Sequence, residues 1–243
     1  MFRSETPIFT FRGPMGVPVE VSGSIIFLAL IFVGIGAINT AEMIQGMGVF
    51  ACLVMSIFCH EFGHAWGAKV QGIKVDKVVL HGGGGYCLHA STNRIGTEFI
   101  VMMGPLVNLA LWSVSSLIGY YLLQSIPFGQ IAADNLPPEA RAALTWKFEA
   151  FMWLDMFARI NLILFVLNLV PVQPLDGGKL LHLGLLRVLP GEIALRVAGA
   201  IGLVFAVLWV PAMLLLYFSV GWMLLFFPAI RVHWMMAKGD IPL

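Results

Sequence analysis

The chain has 243 residues, 59% of them hydrophobic and 11% charged, with a formal net charge of +1. Globular proteins carry about 45–50% and about 25%, so a soluble domain is excluded, as are a disordered chain, a collagen-like repeat and a disulfide-rich secreted scaffold. A mean hydropathy of +0.91 and long uncharged runs place the chain in a bilayer, and the near-neutral charge leaves no footprint for nucleic acid.

Residues 1–20 hold no apolar core of signal-peptide type, because Arg3, Glu5, Arg12 and Glu20 are scattered among Pro and Gly. The first apolar run, Val21–Ile38, therefore reads as a retained span. The second, Met47–Val70, contains His60-Glu61-Phe62-Gly63-His64. Between Lys74 and Ala90, two short runs rich in Val, Leu and Tyr flank Gly82–Gly85, which predicts a hairpin. The third run is Glu98–Leu123. Gln124–Lys147 carries Pro127, Pro137 and Pro138 and reads as a loop with a short helix at Pro138–Trp146. The fourth run, Phe148–Val170, contains Asp155 and Arg159, spaced i,i+4 for an ion pair. Two further runs, Ile193–Val210 and Ala212–Ile230, are divided only by Pro211, and one long kinked helix is the rival reading. Each run is near the ~20 residues that cross a hydrocarbon core. Cys52, Cys59 and Cys87 form no CxxC and imply no disulfide framework.

With both termini cytoplasmic, the inner side receives Arg3, Arg12, Lys69, Lys74, Lys77, Arg94, Lys179, Arg187, Arg196, Arg231 and Lys238, and the outer side only Arg141 and Lys147. The positive-inside rule prefers this arrangement. If the last two runs are one helix, Arg231 and Lys238 fall outside.

The H-E-x-x-H stretch carries the chemistry. On a helix, residues i and i+4 share a face, so His60 and His64 can reach one zinc while Glu61 takes a proton from its water. This chain's His and Glu frequencies give about 0.005 chance matches. Polar residues inside an apolar span are costly there and functional by default. A catalytic zinc needs a third protein ligand. Asp176 is the best candidate, since Pro171 and Pro174 break the helix before it and Gly177 and Gly178 follow it; the alternative is a helix-capping Asp. His182 points elsewhere on a helix. His81 and His89 read as polar hairpin residues, and Cys59 as packing.

Taken together, these motifs resemble the site-2 protease family of intramembrane zinc metalloproteases. The resemblance rests on His60-Glu61-x-x-His64, on N-x-x-P-x-x-P-L-D-G-G from Asn168 to Gly178, and on G-P-x-x-N at Gly104, Pro105 and Asn108. It covers most of Val21–Ile230 and implies that Asp176 is the third zinc ligand. It also implies that the hairpin at Val75–Leu88 is re-entrant and can hold an unwound substrate by strand addition. Asn168 lies in the motif as a donor to the oxyanion or the substrate backbone, with interhelical glue as the alternative, and Asn108 and Asn161 lean toward glue. There is no room for an inserted PDZ or a C-terminal CBS domain.

The expected fold is thus an all-α polytopic membrane protein, residues 1–243 forming one membrane-embedded metalloprotease domain. It has about six transmembrane helices and a small re-entrant β-hairpin. The expected function is zinc-dependent cleavage of a membrane-anchored protein within its transmembrane segment, releasing a cytoplasmic regulator from an active site toward the cytoplasm. The lipid bilayer is the other partner. The rivals are a metal-ion transporter using the same His/Glu/Asp cluster and a protease trimming prenylated C-termini.

Overall fold

The computed structural model describes residues 6–33, 39–126, 137–220 and 226–240. The chain opens with two antiparallel strands, β1 (Pro7–Arg12) and β2 (Pro18–Ser22), which lead into helix α1 (Ser24–Val33). Helix α2 (Thr40–Lys69) begins where the Asn39 side chain accepts a hydrogen bond from the Glu42 amide. Strands β3 (Val75–His81) and β4 (Gly84–His89) pair antiparallel around Gly82 and Gly83. Helices α3 (Arg94–Gln124) and α4 (Pro138–Asn168) follow, then the short α5 (Asp176–Leu185), the long α6 (Gly191–Val220) and α7 (Ile230–Lys238).

Among the described residues, four helices are long and apolar enough to cross a membrane: α2, α3, α4 and residues Gly191–Leu215 of α6. The expected count of six is not reached. Val21 and Ser22 of the first expected span belong to β2, its helix is the ten-residue α1, and residues 34–38 lie outside the described residues. The short helix expected at Pro138–Trp146 is the first part of α4. Pro138 fits a first helical turn, and good helix formers run unbroken from Glu139 onward.

The break expected at Pro211 is absent, and α6 runs through it. A proline removes one backbone donor, and long membrane helices tolerate that loss when the flanks stay helical. The chain nevertheless doubles back. The Trp209 indole N–H donates to the Phe226 carbonyl at 2.8 Å. Beyond it, a Cβ on Gly202 would meet the His233 ring, one on Gly199 would meet Met236 and Ala237, and one on Gly239 would meet Arg196. These contacts step down α6 in reversed order, so the return leg ends at the end of α6 where the helix began. The two glycines on α6 let α7 approach closely.

The sheet has the order β1-β2-β3-β4, with β2 and β3 parallel, so β4 forms one edge. The sequence reading did not anticipate β1 and β2. Val17 and Val19 of this region are almost fully buried, in a cluster with Phe62, Ala65 and Ala68 of α2, Val78 of β3 and Ile100 of α3. The sheet is thereby fastened to the part of α2 that carries His60 and His64.

Candidate metal centre

Helices α2 and α3 meet through small residues. A Cβ on Gly63 would stand 2.6 Å from the Met103 carbonyl oxygen, and one on Gly67 would stand 2.9 Å from Met103 Cγ. The G-x-x-x-G spacing at Gly63 and Gly67 is what allows this approach. Gly104 of α3 faces the histidines, and a Cβ there would lie 2.3 Å from His64 Nε2 and 2.7 Å from His60 Nε2.

Asp176 is brought in from the other side. Helix α4 ends at Asn168, and residues 169–175 fold back on themselves, with the Val172 amide bonded to the Val170 carbonyl and the Leu175 amide to the Val172 carbonyl. Gly177 and Gly178 permit this fold, because a Cβ on either would run into the backbone of residues 169–173. The carboxylate of Asp176 then sits buried, 3.0 Å from His60 Nε2 and 3.1 Å from His64 Nε2, and the two Nε2 atoms are 3.1 Å apart.

The outer nitrogens fix what this triangle is. His60 Nδ1 donates to Asn108 Oδ1 at 2.6 Å, and His64 Nδ1 donates to the Ile100 carbonyl at 2.8 Å. Each neutral ring therefore turns the lone pair of its Nε2 inward, toward the other ring and toward a carboxylate oxygen. Three buried acceptors facing one another are stable only around a cation. A tetrahedral zinc with bonds of about 2.0–2.1 Å separates its ligand atoms by about 3.3 Å, within a few tenths of an ångström of the spacing here. The donor set of two imidazoles and one carboxylate leaves a fourth position open, as catalytic zinc requires. Oδ1 of Asp176 is engaged by Lys179 Nζ at 3.1 Å, which leaves Oδ2 to face the rings.

Glu61 is buried beside the histidines. Its side chain lies against β4, where a Cβ on Gly85 would come within 2.6 Å of Glu61 Cγ. Asn168 is elsewhere occupied, its amide donating to the Leu164 carbonyl one turn back. Asn108 and Asn161, expected as glue between helices, do join them: Asn108 Nδ2 donates to Asn161 Oδ1 at 2.8 Å, and Asn161 Nδ2 donates to Ser56 Oγ at 2.9 Å. Asn108 also holds His60, a role the sequence reading missed. The available signal was its spacing in G-P-x-x-N, four residues and thus one turn beyond Gly104.

The remaining candidates stand apart. His81 Nδ1 accepts from the Gly83 amide, and His89 Nδ1 donates to the Ala90 carbonyl. Burial pushes the Cys87 thiol up to about 12, so it stays protonated. Arg159 pairs with Asp155 on an exposed face of α4. Among the described residues, His60, His64 and Asp176 are the one group of three side chains able to hold a metal. A transporter would need further layers of such groups along a path, and the transport alternative gains no support.

Residues 48–210 match the description "Peptidase family M50". The chain belongs to this family. It is 29% identical over 168 residues to a zinc metalloprotease of Methanocaldococcus jannaschii, covering 69% of this chain and 42% of that protein. It is 30% identical over 192 residues to the stage IV sporulation protein FB of Bacillus subtilis, covering 76% and 58%. The chain thus spans about half or less of the length of these relatives. Its fold is similar to that of the site-2 protease from Methanocaldococcus jannaschii, with a TM-score of 0.56 and 26% identity over 95% of this chain and 92% of that one. Zinc is the metal of this M50 chain, and the donor chemistry of the buried cluster fits it.

Proposed function

We propose that the chain is a zinc-dependent intramembrane endopeptidase, a single membrane-embedded domain. His60, His64 and Asp176 hold the metal and Glu61 is the general base. The carrying observation is the triangle of three buried acceptors 3.0–3.1 Å apart, closed from outside by Asn108 and the Ile100 carbonyl. When bound, zinc supplies a Lewis acid and lowers the pKa of water to about 7. Glu61 accepts the proton of the attacking water and passes it to the leaving amine. Asn168 serves the oxyanion or the substrate backbone once its amide leaves Leu164.

The substrate is a membrane-anchored protein cut within its transmembrane segment. A helix hides its amides in its own hydrogen bonds, so the cut segment must unwind. Strand β4 offers the replacement partner: it is an edge of the sheet and touches Glu61 at Gly85. A substrate added there as a strand gains main-chain hydrogen bonds beside the base. We read the hairpin as re-entrant for this reason. The Lys/Arg distribution supports an active site toward the cytoplasm and release of a cytoplasmic regulator.

The test reconstitutes wild type and Glu61→Gln with a single-span substrate carrying helix-weakening residues. Both proteins should hold one zinc per chain. Glu61→Gln should cleave slower by about 10²–10⁴. Equal cleavage by both removes Glu61 as the base, and a broad substrate panel left uncut by wild type overturns the protease reading.

A further inference from the structure

The loop that delivers Asp176 is held by a side chain outside every motif named above. His233, on α7, is 1% exposed. Its Nε2 accepts a hydrogen bond from the Gln173 amide at 2.8 Å. The Gln173 carbonyl accepts from the Ala229 amide at 3.1 Å. Both backbone polar groups of Gln173 are therefore satisfied by the start of α7. A backbone N–H can only donate, so the proton of the His233 ring is on Nδ1. Nδ1 is buried and has no hydrogen-bond partner among the described residues. The ring is wedged against α6, where a Cβ on Gly202 would lie 2.1 Å from Cε1.

Gln173 is coupled to the metal site by contact. Its amide nitrogen would stand 2.8 Å from a Cβ on Gly178, and the Gly178 amide bonds back to the Leu175 carbonyl. Val172, beside it, is fully buried. A shift of residue 173 therefore moves the first turn of α5, which begins with Asp176.

We propose that His233 is a positioning residue for the metal centre. By accepting from the Gln173 amide it clips the 171–175 loop to α7 and sets where the Asp176 carboxylate stands. This rests on the reading of Asp176 as a ligand. A buried ring with an unpaired Nδ1 costs stability, and an apolar side chain would fill the same space without that cost. Its presence is explained by the one acceptor it supplies. Partners that orient a ligand are worth about 10–100-fold in metal affinity, and His233 acts through the ligand's own backbone.

The test uses the full purified chain and compares wild type, His233→Gln, His233→Leu and Asp176→Ala. Zinc affinity is read by competition with a chromophoric chelator, and folding by thermal unfolding. Amide exchange is read on the peptide containing Gln173. Gln can place an acceptor oxygen where Nε2 stands, and Leu cannot. His233→Leu should lose about 10-fold or more in zinc affinity and expose the Gln173 amide to exchange, while His233→Gln stays near wild type in both. Wild-type zinc affinity in His233→Leu overturns the proposal, as does an equal loss in the Gln and Leu variants. If His233→Leu does not fold, wild-type exchange decides: a Gln173 amide that exchanges as fast as exposed loop amides overturns the clip, and a protected one that His233→Gln preserves supports it. Asp176→Ala separates the two readings. If it binds zinc like wild type, the ligand assignment fails; if it loses zinc while His233→Leu does not, only the clip fails.

Discussion

Asn108 Oδ1 stands 2.6 Å from His60 Nδ1, and the same side chain reaches Asn161 on α4 with its amide nitrogen. One buried asparagine thus orients a metal ligand and ties three helices. The directions are forced along the chain: the His60 ring donates to Asn108, Asn108 to Asn161, Asn161 to Ser56 Oγ, and Ser56 Oγ to the Cys52 carbonyl at 2.8 Å. Asn108→Leu should weaken zinc binding by about 10–100-fold, as loss of an outer partner of a ligating imidazole does. It should also lower thermal stability, because Asn161 Oδ1 is left unpaired in a buried site. Chelator competition and thermal unfolding check the two effects separately. Asn161→Leu should show the stability loss with the smaller loss of zinc.

Two glycines should fail in different ways. Gly104→Ala places a Cβ between the inward nitrogens of His64 and His60, so zinc content should fall. Gly85→Ala pushes instead on the Glu61 side chain. Zinc content should there stay near one per chain while cleavage falls by about 10-fold or more, as expected when a base is moved out of reach. Metal analysis and a cleavage assay on the same preparations distinguish the two. Gly84→Ala is no neutral control, since that residue has a φ of 131°.

The metal cluster was legible in the sequence because its signal is local: His60, Glu61 and His64 share one helix, and Asp176 sits at a proline-marked break. The hairpin was legible for the same reason, as two β-rich runs around glycines. The N-terminal strands were not. Pro7, Pro14 and Pro18 disguise the alternation of Val17, Val19 and Val21, and the parallel pairing of β2 with β3 joins residues far apart in sequence. His233 carried no signal either, because what singles it out is the Gln173 amide, 60 residues away. Helix boundaries around Pro211 were misplaced because a local conformational bias was weighed without the apolar flanks that sustain α6.

The return leg after α6 gives the topology a decisive test. A single pass through α6 would put Arg231 and Lys238 on the side of Arg141. The contacts of Phe226, His233, Met236 and Gly239 along α6 bring the chain back instead to the end marked by Arg196. That keeps the C-terminal Arg and Lys with Lys77 and Arg94, as the positive-inside rule requires. In a chain whose Cys52, Cys59 and Cys87 are replaced, Lys77→Cys and Lys238→Cys should react with a membrane-impermeant thiol reagent from one side and Arg141→Cys from the other. The labelled positions are exposed or partly exposed in the structure, so reactivity reports side rather than burial. Labelling of positions 238 and 141 from the same side would remove the return leg and, with it, the contact between α7 and the Asp176 loop. Labelling of all three from one side would contradict the orientation of α2 and α3. The arrangement described here requires 77 and 238 together and 141 apart.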